Sequence, residues 1–247
     1  PMTRTPDAHF FTEARYRGAK VTAVAPDYAE YVKFADTWLP ARAGSDAALA
    51  MAMTHVIVKE FYIDTPTPYF IDYAKRFTDL PFAVVLKAAG DTFVSDRFLT
   101  AADLGTEITN PRWKTVFFDR TTATWVVPNG SIGFRWDEVA GHWNLHLQDS
   151  KTDAVVDPLL SYAGDSENWQ TVTLPYFADK GPGSKNGRVP VKTIKTAAGE
   201  VLVTTVFDLM AAQLGIARAE DEGREQDTSV HYPTGYDDPQ PFTTAWQ

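Results

Sequence analysis

The sequence predicts an α/β fold: strand–helix units of a parallel sheet, joined to an irregular, aromatic-rich β insertion. Two observations carry this. The N-terminal third alternates β-rich and helical patterns, and from about residue 105 to 188 short β-like runs alternate with turn signals while holding five of the seven tryptophans. At 247 residues with 44% hydrophobic content, the chain is long enough to fill a real core. The expected organisation is an α/β portion over 1–104, a β-rich insertion over 105–188, and a hairpin, short helix and acidic surface tail over 189–247.

Taken in order, "KVTAVAP" (Lys20 to Pro26) reads as a strand and "YAEYVKFADTWL" as a helical pattern, with a break at "PARAG". The next helix, about Asp46 to Tyr62, carries Leu49, Met53, Val56, Ile57 and Phe61 at helical spacing with alanines between them. It is apolar nearly all round, which predicts burial. A further helix is predicted over about Pro68 to Phe77. The apolar run Phe82 to Leu86 then fits an interior strand.

In the insertion, "WKTVFFD" and "ATWVVP" read as short strands, and "PNGS", "AGHW" and "DKGPGSKNG" as turns. Tryptophans at 113, 125, 136, 143 and 169 argue for an aromatic-packed segment, since disordered segments are poor in aromatics. "VPVKTIKTAAGEVLVTT" predicts a hairpin turning at Ala198-Gly199. "VFDLMAAQLG" predicts a short helix stopped by Gly215, and the acidic stretch from Arg218 on is expected at the surface.

Composition excludes several classes of function. A formal net charge of −9 disfavours nucleic acid and anionic lipid, because attraction to phosphate needs clustered Lys and Arg. No run approaches the roughly 18 apolar residues that span a bilayer, so no direct membrane span is expected. The absence of cysteine removes disulfides, thiolate metal sites and a Cys nucleophile.

The local motifs are weak taken singly. His142 and His146 in "HWNLH" can share a face, but a metal needs a third ligand and nothing nearby supplies one at a recognisable spacing. Asp7 and His9 in "TPDAHFF" suit a base and its orienting acid, yet no GxSxG elbow or Cys accompanies them. His55 reads as a core histidine with its ring hydrogen-bonded, and His231 sits in the polar tail. Neither GxGxxG nor a Walker A sequence occurs.

Two places stand out. "KVTAVAP" is followed by Asp27 and Tyr28, and ligands of parallel sheets gather outside the carboxyl ends of strands. In "LPARAGSDAALAMAM", Gly44 permits close backbone approach, while Ser45 or Asp46 stands at a helix start. A carboxylate in either place matches the paired donors of guanine at N1 and N2. It equally suits a plain helix cap, and the local pattern leaves both readings open.

The joint pattern "TRTPDAHFFTEARYRGAKVTAVAPDYAEYVKFADTWLPARAGSDAALAMAM" resembles the catalytic alpha subunits of respiratory nitrate reductases, within the molybdopterin oxidoreductase superfamily. "YFIDYAKRFTDLPF", "NPRWKTV", "VPNGSIGFRW", "LPYF", "LVTTVFDLMAAQLG" and "FTTAWQ" continue the resemblance in order along the chain. It implies an interior fragment of a longer subunit that holds molybdenum between two molybdopterin guanine dinucleotides. A [4Fe-4S] cluster is implied too, with its ligands, like the molybdenum-ligating Asp, outside this sequence.

By the same resemblance, Thr3, Arg4 and Thr5 form a loop against one cofactor. Asp27 and Tyr28 lie at the next strand end, and Gly44, Ser45 and Asp46 stand where the superfamily's Gly-Thr/Ser-Asp motif meets a guanine dinucleotide. Met2 departs from the polar residue usual there. No residue of this chain is implied to be catalytic or to ligate metal. The implied reaction is nitrate to nitrite, and the implied partners are an iron–sulfur beta subunit and a haem-bearing membrane gamma subunit, with the alpha subunit on the cytoplasmic face of the membrane. The alternatives are a nitrite oxidoreductase alpha subunit, which runs the reaction backwards, and a non-catalytic α/β binding module.

Overall fold

A computed structural model describes residues 5–28, 31–129, 147–166, 168–178, 181–216 and 218. The expectations placed on Thr3, Arg4, His142, His146 and His231 lie outside these residues. The chain divides at Met53/Thr54 into two compact units, and the boundary falls within one helix.

In the first unit, α1 covers Thr5–Tyr16. The expected loop at Thr3 to Thr5 therefore ends at Thr5, which opens this helix. Gly18, at φ +92°, ends α1: its N–H donates to the Arg15 carbonyl, and the Ala19 N–H donates to that of Ala14. This is the paired closure that a glycine after a helix permits. Strand β1 (Thr22–Val24) follows, then a single 3₁₀ turn at Val32–Phe34, then β2 (Thr37–Leu39).

The two strands are parallel, with Thr22 opposite Thr37 and Val24 opposite Leu39. The helix expected across "YAEYVKFADTWL" is thus corrected. Helical spacing there competes with Thr, Trp and Leu in succession just before Pro40, a β-favouring run, and pairing with β1 decides in its favour. Asp36 fixes the crossover. Its carboxylate accepts from the Val21 N–H at 2.9 Å, and its own N–H donates to the Val21 carbonyl at 2.8 Å. The amide of Val21, with the charge of Lys20, holds the Asp36 carboxyl below the usual carboxylate range.

Helix α2 runs Asp46–Val58 and widens into a π-helical turn, Lys59–Asp64. It buries Leu49, Ala52 and Val58 but leaves Met53, Ile57 and Phe61 exposed, so the expected full burial is corrected. An all-round apolar helix carries more apolar surface than the described elements cover. Helix α3 occupies Pro68–Phe77, as the pattern predicts, with Pro68 at its first position.

The second unit is built on a six-stranded sheet in the order β8-β7-β4-β3-β10-β9. Its strands are β3 (Ala83–Ala89), β4 (Thr92–Phe98), β7 (Trp169–Ala178), β8 (Gly181–Pro190), β9 (Lys192–Thr196) and β10 (Gly199–Thr205). A separate hairpin pairs β5 (Phe117–Asp119) with β6 (Thr124–Val126). The run Phe82 to Leu86 does become an interior strand, but β3 is antiparallel to both neighbours. The parallel strand–helix rhythm belongs to β1 and β2.

Both faces of this sheet are covered. Ala83, Val85, Ile194 and Val203 pack with Leu99, Val116, Val127 and Tyr162. Leu86, Val172, Leu174, Val189 and Val191 pack on the other side with Leu209 and Ala212 of α4 (Val206–Gln213). Phe118, Trp125 and Tyr162 meet edge to face, with Phe118 and Trp125 centroids 5.1 Å apart, as an aromatic-packed insertion requires; Trp113 is exposed instead, and Trp136 and Trp143 lie outside the described residues.

Two turn expectations are corrected. "DKGPGSKNG" is mostly strand: Gly181 to Pro190 pairs residue by residue with β7. Glycine and proline suggest a turn, but β8 is an edge strand, where a missing N–H is tolerated. Gly187 also lets α4 approach, since a Cβ there would stand 3.0 Å from Ala212 Cβ and from Leu174 Cδ1. The β9–β10 turn is Ala197-Ala198, with Gly199 the first strand residue at φ +125°. Gly215, at φ +69°, closes α4 as predicted.

Candidate functional site

Because β1 and β2 are parallel and in register, their carboxyl ends, Val24 and Leu39, lie side by side. The loop that carries Asp27 and Tyr28 and the loop that carries Gly44, Ser45 and Asp46 both leave from that one edge. The segments that carry these five sequence-predicted residues therefore follow the carboxyl edge where ligands of parallel sheets collect. Asp27, Tyr28, Gly44 and Asp46 are all exposed, and Ser45 is half-buried.

The second loop has a definite geometry. Leu39 is followed by a turn over Arg42–Ser45, closed by the Ser45 N–H to the Arg42 carbonyl at 3.0 Å. Gly44, at φ +83°, occupies its third position, as a type II turn demands. Nothing lies within 4 Å of where a Gly44 Cβ would be, so the backbone here is open to a ligand. The Ser45 carbonyl accepts the first bond of α2, from the Leu49 N–H at 3.0 Å. Its hydroxyl donates back to the Arg42 carbonyl at 2.6 Å.

This separates the two readings of "GSD". Ser45 is the residue at the helix cap, and Asp46 is the first helical residue. Among the described residues no hydrogen bond or ion pair engages the Asp46 side chain. The Asp27 carboxylate is likewise unengaged among the described residues. Two acceptor groups on the loops that leave this edge thus have no partner among the described residues.

The first loop is tied down by a residue that sequence reasoning missed. The Trp38 indole N–H donates to the Ala25 carbonyl at 3.0 Å, bridging β2 to the chain that leaves β1. The Ala25 N–H donates to the Leu39 carbonyl at 3.2 Å. Tyr28 meets Trp38 edge to face, centroids 5.4 Å apart at 84°. The signal was present in the β-favouring run before Pro40, but the helical spacing around it hid the strand.

The other candidates fall away. His9 is exposed on α1 with its ring edge-on to Phe10 at 5.7 Å. The His55 ring is hydrogen-bonded as expected, its Nδ1–H donating to the Leu214 carbonyl at 2.8 Å, but it is half-buried and not a core residue. Among the described residues no group of three His, Asp or Glu is placed to hold a metal ion.

Comparison with known proteins decides the family. A family model described as molybdopterin oxidoreductase matches residues 2–206, which include both strand-end loops. The chain belongs to the molybdopterin oxidoreductase family. It is 44% identical over its whole length to the nitrate reductase alpha chain of Bacillus subtilis (strain 168), covering 19% of that protein. It is 45% identical to the respiratory nitrate reductase 1 alpha chain of Escherichia coli (strain K12), covering 20% of it. Identity to the nitrate reductase alpha subunit of Mycobacterium tuberculosis (strain ATCC 25618 / H37Rv) is 49%, again over the whole chain and 19% of the relative. The chain thus spans about a fifth of the length of the curated relatives it matches.

Membership of the molybdopterin oxidoreductases implies a molybdopterin cofactor. The edge formed by β1 and β2 fits such a group on chemical grounds. It offers unengaged carboxylates for ring N–H donors, an open glycine turn for close backbone approach, and exposed aromatic rings beside them.

Proposed function

We propose that this chain is part of the catalytic alpha subunit of a respiratory nitrate reductase and helps to hold its molybdopterin guanine dinucleotides. The observation that carries the reading is end-to-end similarity to nitrate reductase alpha chains, at 44–49% identity over 100% of this chain. When bound, the molybdenum cofactor supplies two-electron oxygen-atom transfer, nitrate to nitrite. The residues of this chain bind and orient.

In this reading the Asp46 carboxylate accepts the guanine N1–H and N2–H together, a parallel donor pair that a carboxylate matches with two oxygens. The same charge at the start of α2 is favoured by the helix dipole and discourages a phosphate from taking that place. Gly44 lets the ligand approach the backbone, and Ser45, its hydroxyl proton committed to Arg42, presents acceptor lone pairs. Asp27 and Tyr28 frame the ligand from the loop after β1, which Trp38 holds in place. Thr3, Arg4 and Thr5 contact a cofactor from the chain that enters α1.

The further parts of the proposal concern the whole subunit. A [4Fe-4S] cluster with ligands outside this chain delivers electrons from an iron–sulfur beta subunit, and a haem-bearing gamma subunit anchors the complex at the cytoplasmic face of the membrane. Among the described residues no helix is long and apolar enough to cross a membrane.

The test is nitrite formation by the full-length subunit that carries this segment, with a reduced viologen as donor. Nitrate-dependent viologen oxidation is expected; its absence in a molybdenum-loaded enzyme overturns the reading. This polypeptide alone is expected to give no turnover.

A further inference from the structure

A second place in the molecule, within the second unit, has the chemistry of a binding site. A cavity of about 300 Å³ opens in the second unit, lined by Trp169 and Thr171 of β7, Asn186 and Arg188 of β8, and Ile216 and Arg218 beyond α4. Among the described residues no carboxylate lines it, and its two ionisable lining residues are both arginines.

Arg218 is the key group. It is only 8% exposed, and its guanidinium is fixed from several sides. Its Nη1 donates to the buried Asp208 carboxylate and to the Ser161 hydroxyl at 2.7 Å. The Phe207 and Trp169 rings lie 5.5 and 6.0 Å from its central carbon. Asp208 is itself held by the Ser161 hydroxyl at 2.6 Å and the Tyr162 N–H at 2.9 Å. Nη2 is buried and has no hydrogen-bond partner among the described residues. A buried donor on a charged group is costly to leave unmatched, so a rigidly held guanidinium with a spare N–H edge is organised to receive an acceptor.

The rest of the wall agrees. The Asn186 carbonyl oxygen already accepts from the Thr173 hydroxyl at 3.2 Å, which turns its amide NH₂ outward as a donor. Thr171 adds a hydroxyl. Trp169 supplies an apolar side. The Arg218 Nη2 donor and the Asn186 and Thr171 side chains thus line a space that holds only a small molecule.

The geometry points to a binding site for a small carboxylate, held by the free edge of Arg218 and by Asn186, with its apolar end against Trp169. Two sources carry that chemistry, a free carboxylate or an Asp or Glu side chain from elsewhere in a whole subunit. The site takes the free one.

The experiment is a thermal melt of the full-length, cofactor-loaded subunit, titrated with sodium acetate and with sodium formate at ionic strength fixed by sodium chloride. Two variants accompany it, Asn186→Asp and Arg218→Lys. Asn186 is exposed, so N186D leaves the Arg218–Asp208 pair intact while setting a negative charge against the ligand. The expected result is a saturable rise in melting temperature for the parent protein, with apparent affinity at least tenfold weaker in N186D. If R218K folds, it loses the effect altogether. Equal affinity in parent and N186D overturns the site. A parent protein that shows no change beyond chloride overturns it too, and means that the Arg218 donors are met from within the subunit.

Discussion

Gly44 shows what one residue decides. Its φ of +83° lies where L side chains are strained, while nothing stands within 4 Å of a would-be Cβ. Gly44→Ala is therefore expected to cost about 1–2 kcal/mol through backbone conformation and not through a clash. Thermal melts of the full subunit check this, and cofactor content should fall alongside stability, because the turn aims Ser45 and Asp46. At position 46 the two effects separate. Ser45 is the cap, so Asp46→Asn removes only a charge near the helix start, worth about 0.3–1 kcal/mol. The Gly-Ser-Asp signal was legible in sequence because a glycine, a small polar residue and an acid ahead of an apolar run act over a single turn. Trp38 was not legible: its importance comes from a hydrogen bond to Ala25 across two parallel strands, and spacing along one segment does not show a partner in another.

Among the elements, local patterns fared best. Helix α3, the short strands β5 and β6 and α4 with its Gly215 stop follow from local residue pattern and capping, which neighbours in sequence settle. Strands β2 and β8 do not, since pairing overrides their local character. Gly181 to Pro190 contains the glycines and prolines of a turn, yet it forms a ladder as an edge strand against β7. Gly187 gives this a measurable consequence. A Cβ there would crowd Ala212 of α4 and Leu174 of β7 at 3.0 Å. Gly187→Val is predicted to destabilise by about 1–3 kcal/mol through overpacking, read as a lower denaturation midpoint with an unchanged slope.

Across the whole molecule, low pH should weaken the fold through particular carboxylates. Burial alone raises Asp119, but the Thr122 hydroxyl and the amides of Asp157, Thr122 and Thr121 outweigh it and leave the group depressed. Burial raises Asp103 as well, against the stronger pull of Arg97 and Thr100, and Asp36 is lowered by the Val21 amide. A depressed carboxylate stabilises the fold above its unfolded value, near 3.9, and that contribution disappears as pH falls through the folded value. Melting temperature should thus drop steeply below about pH 4, and less steeply in Asp119→Asn, which has no charge there to lose.

At this scale the sequence was informative about family and less so about surface. The apolar circumference of α2 suggested a buried helix, but Met53, Ile57 and Phe61 are exposed. A chain that spans about a fifth of its relatives leaves open apolar surface that its own elements do not cover.

The central claim is that the edge formed by the ends of β1 and β2 grips the guanine end of the cofactor. It is tested most directly by the guanosine nucleotide released per subunit on acid hydrolysis of purified full-length enzyme, comparing parent and Asp46→Asn. The account predicts a several-fold loss of bound nucleotide in the variant at nearly unchanged melting temperature of the cofactor-free protein. Equal nucleotide content in the two proteins would contradict it and return Asp46 to the role of a helix-start charge.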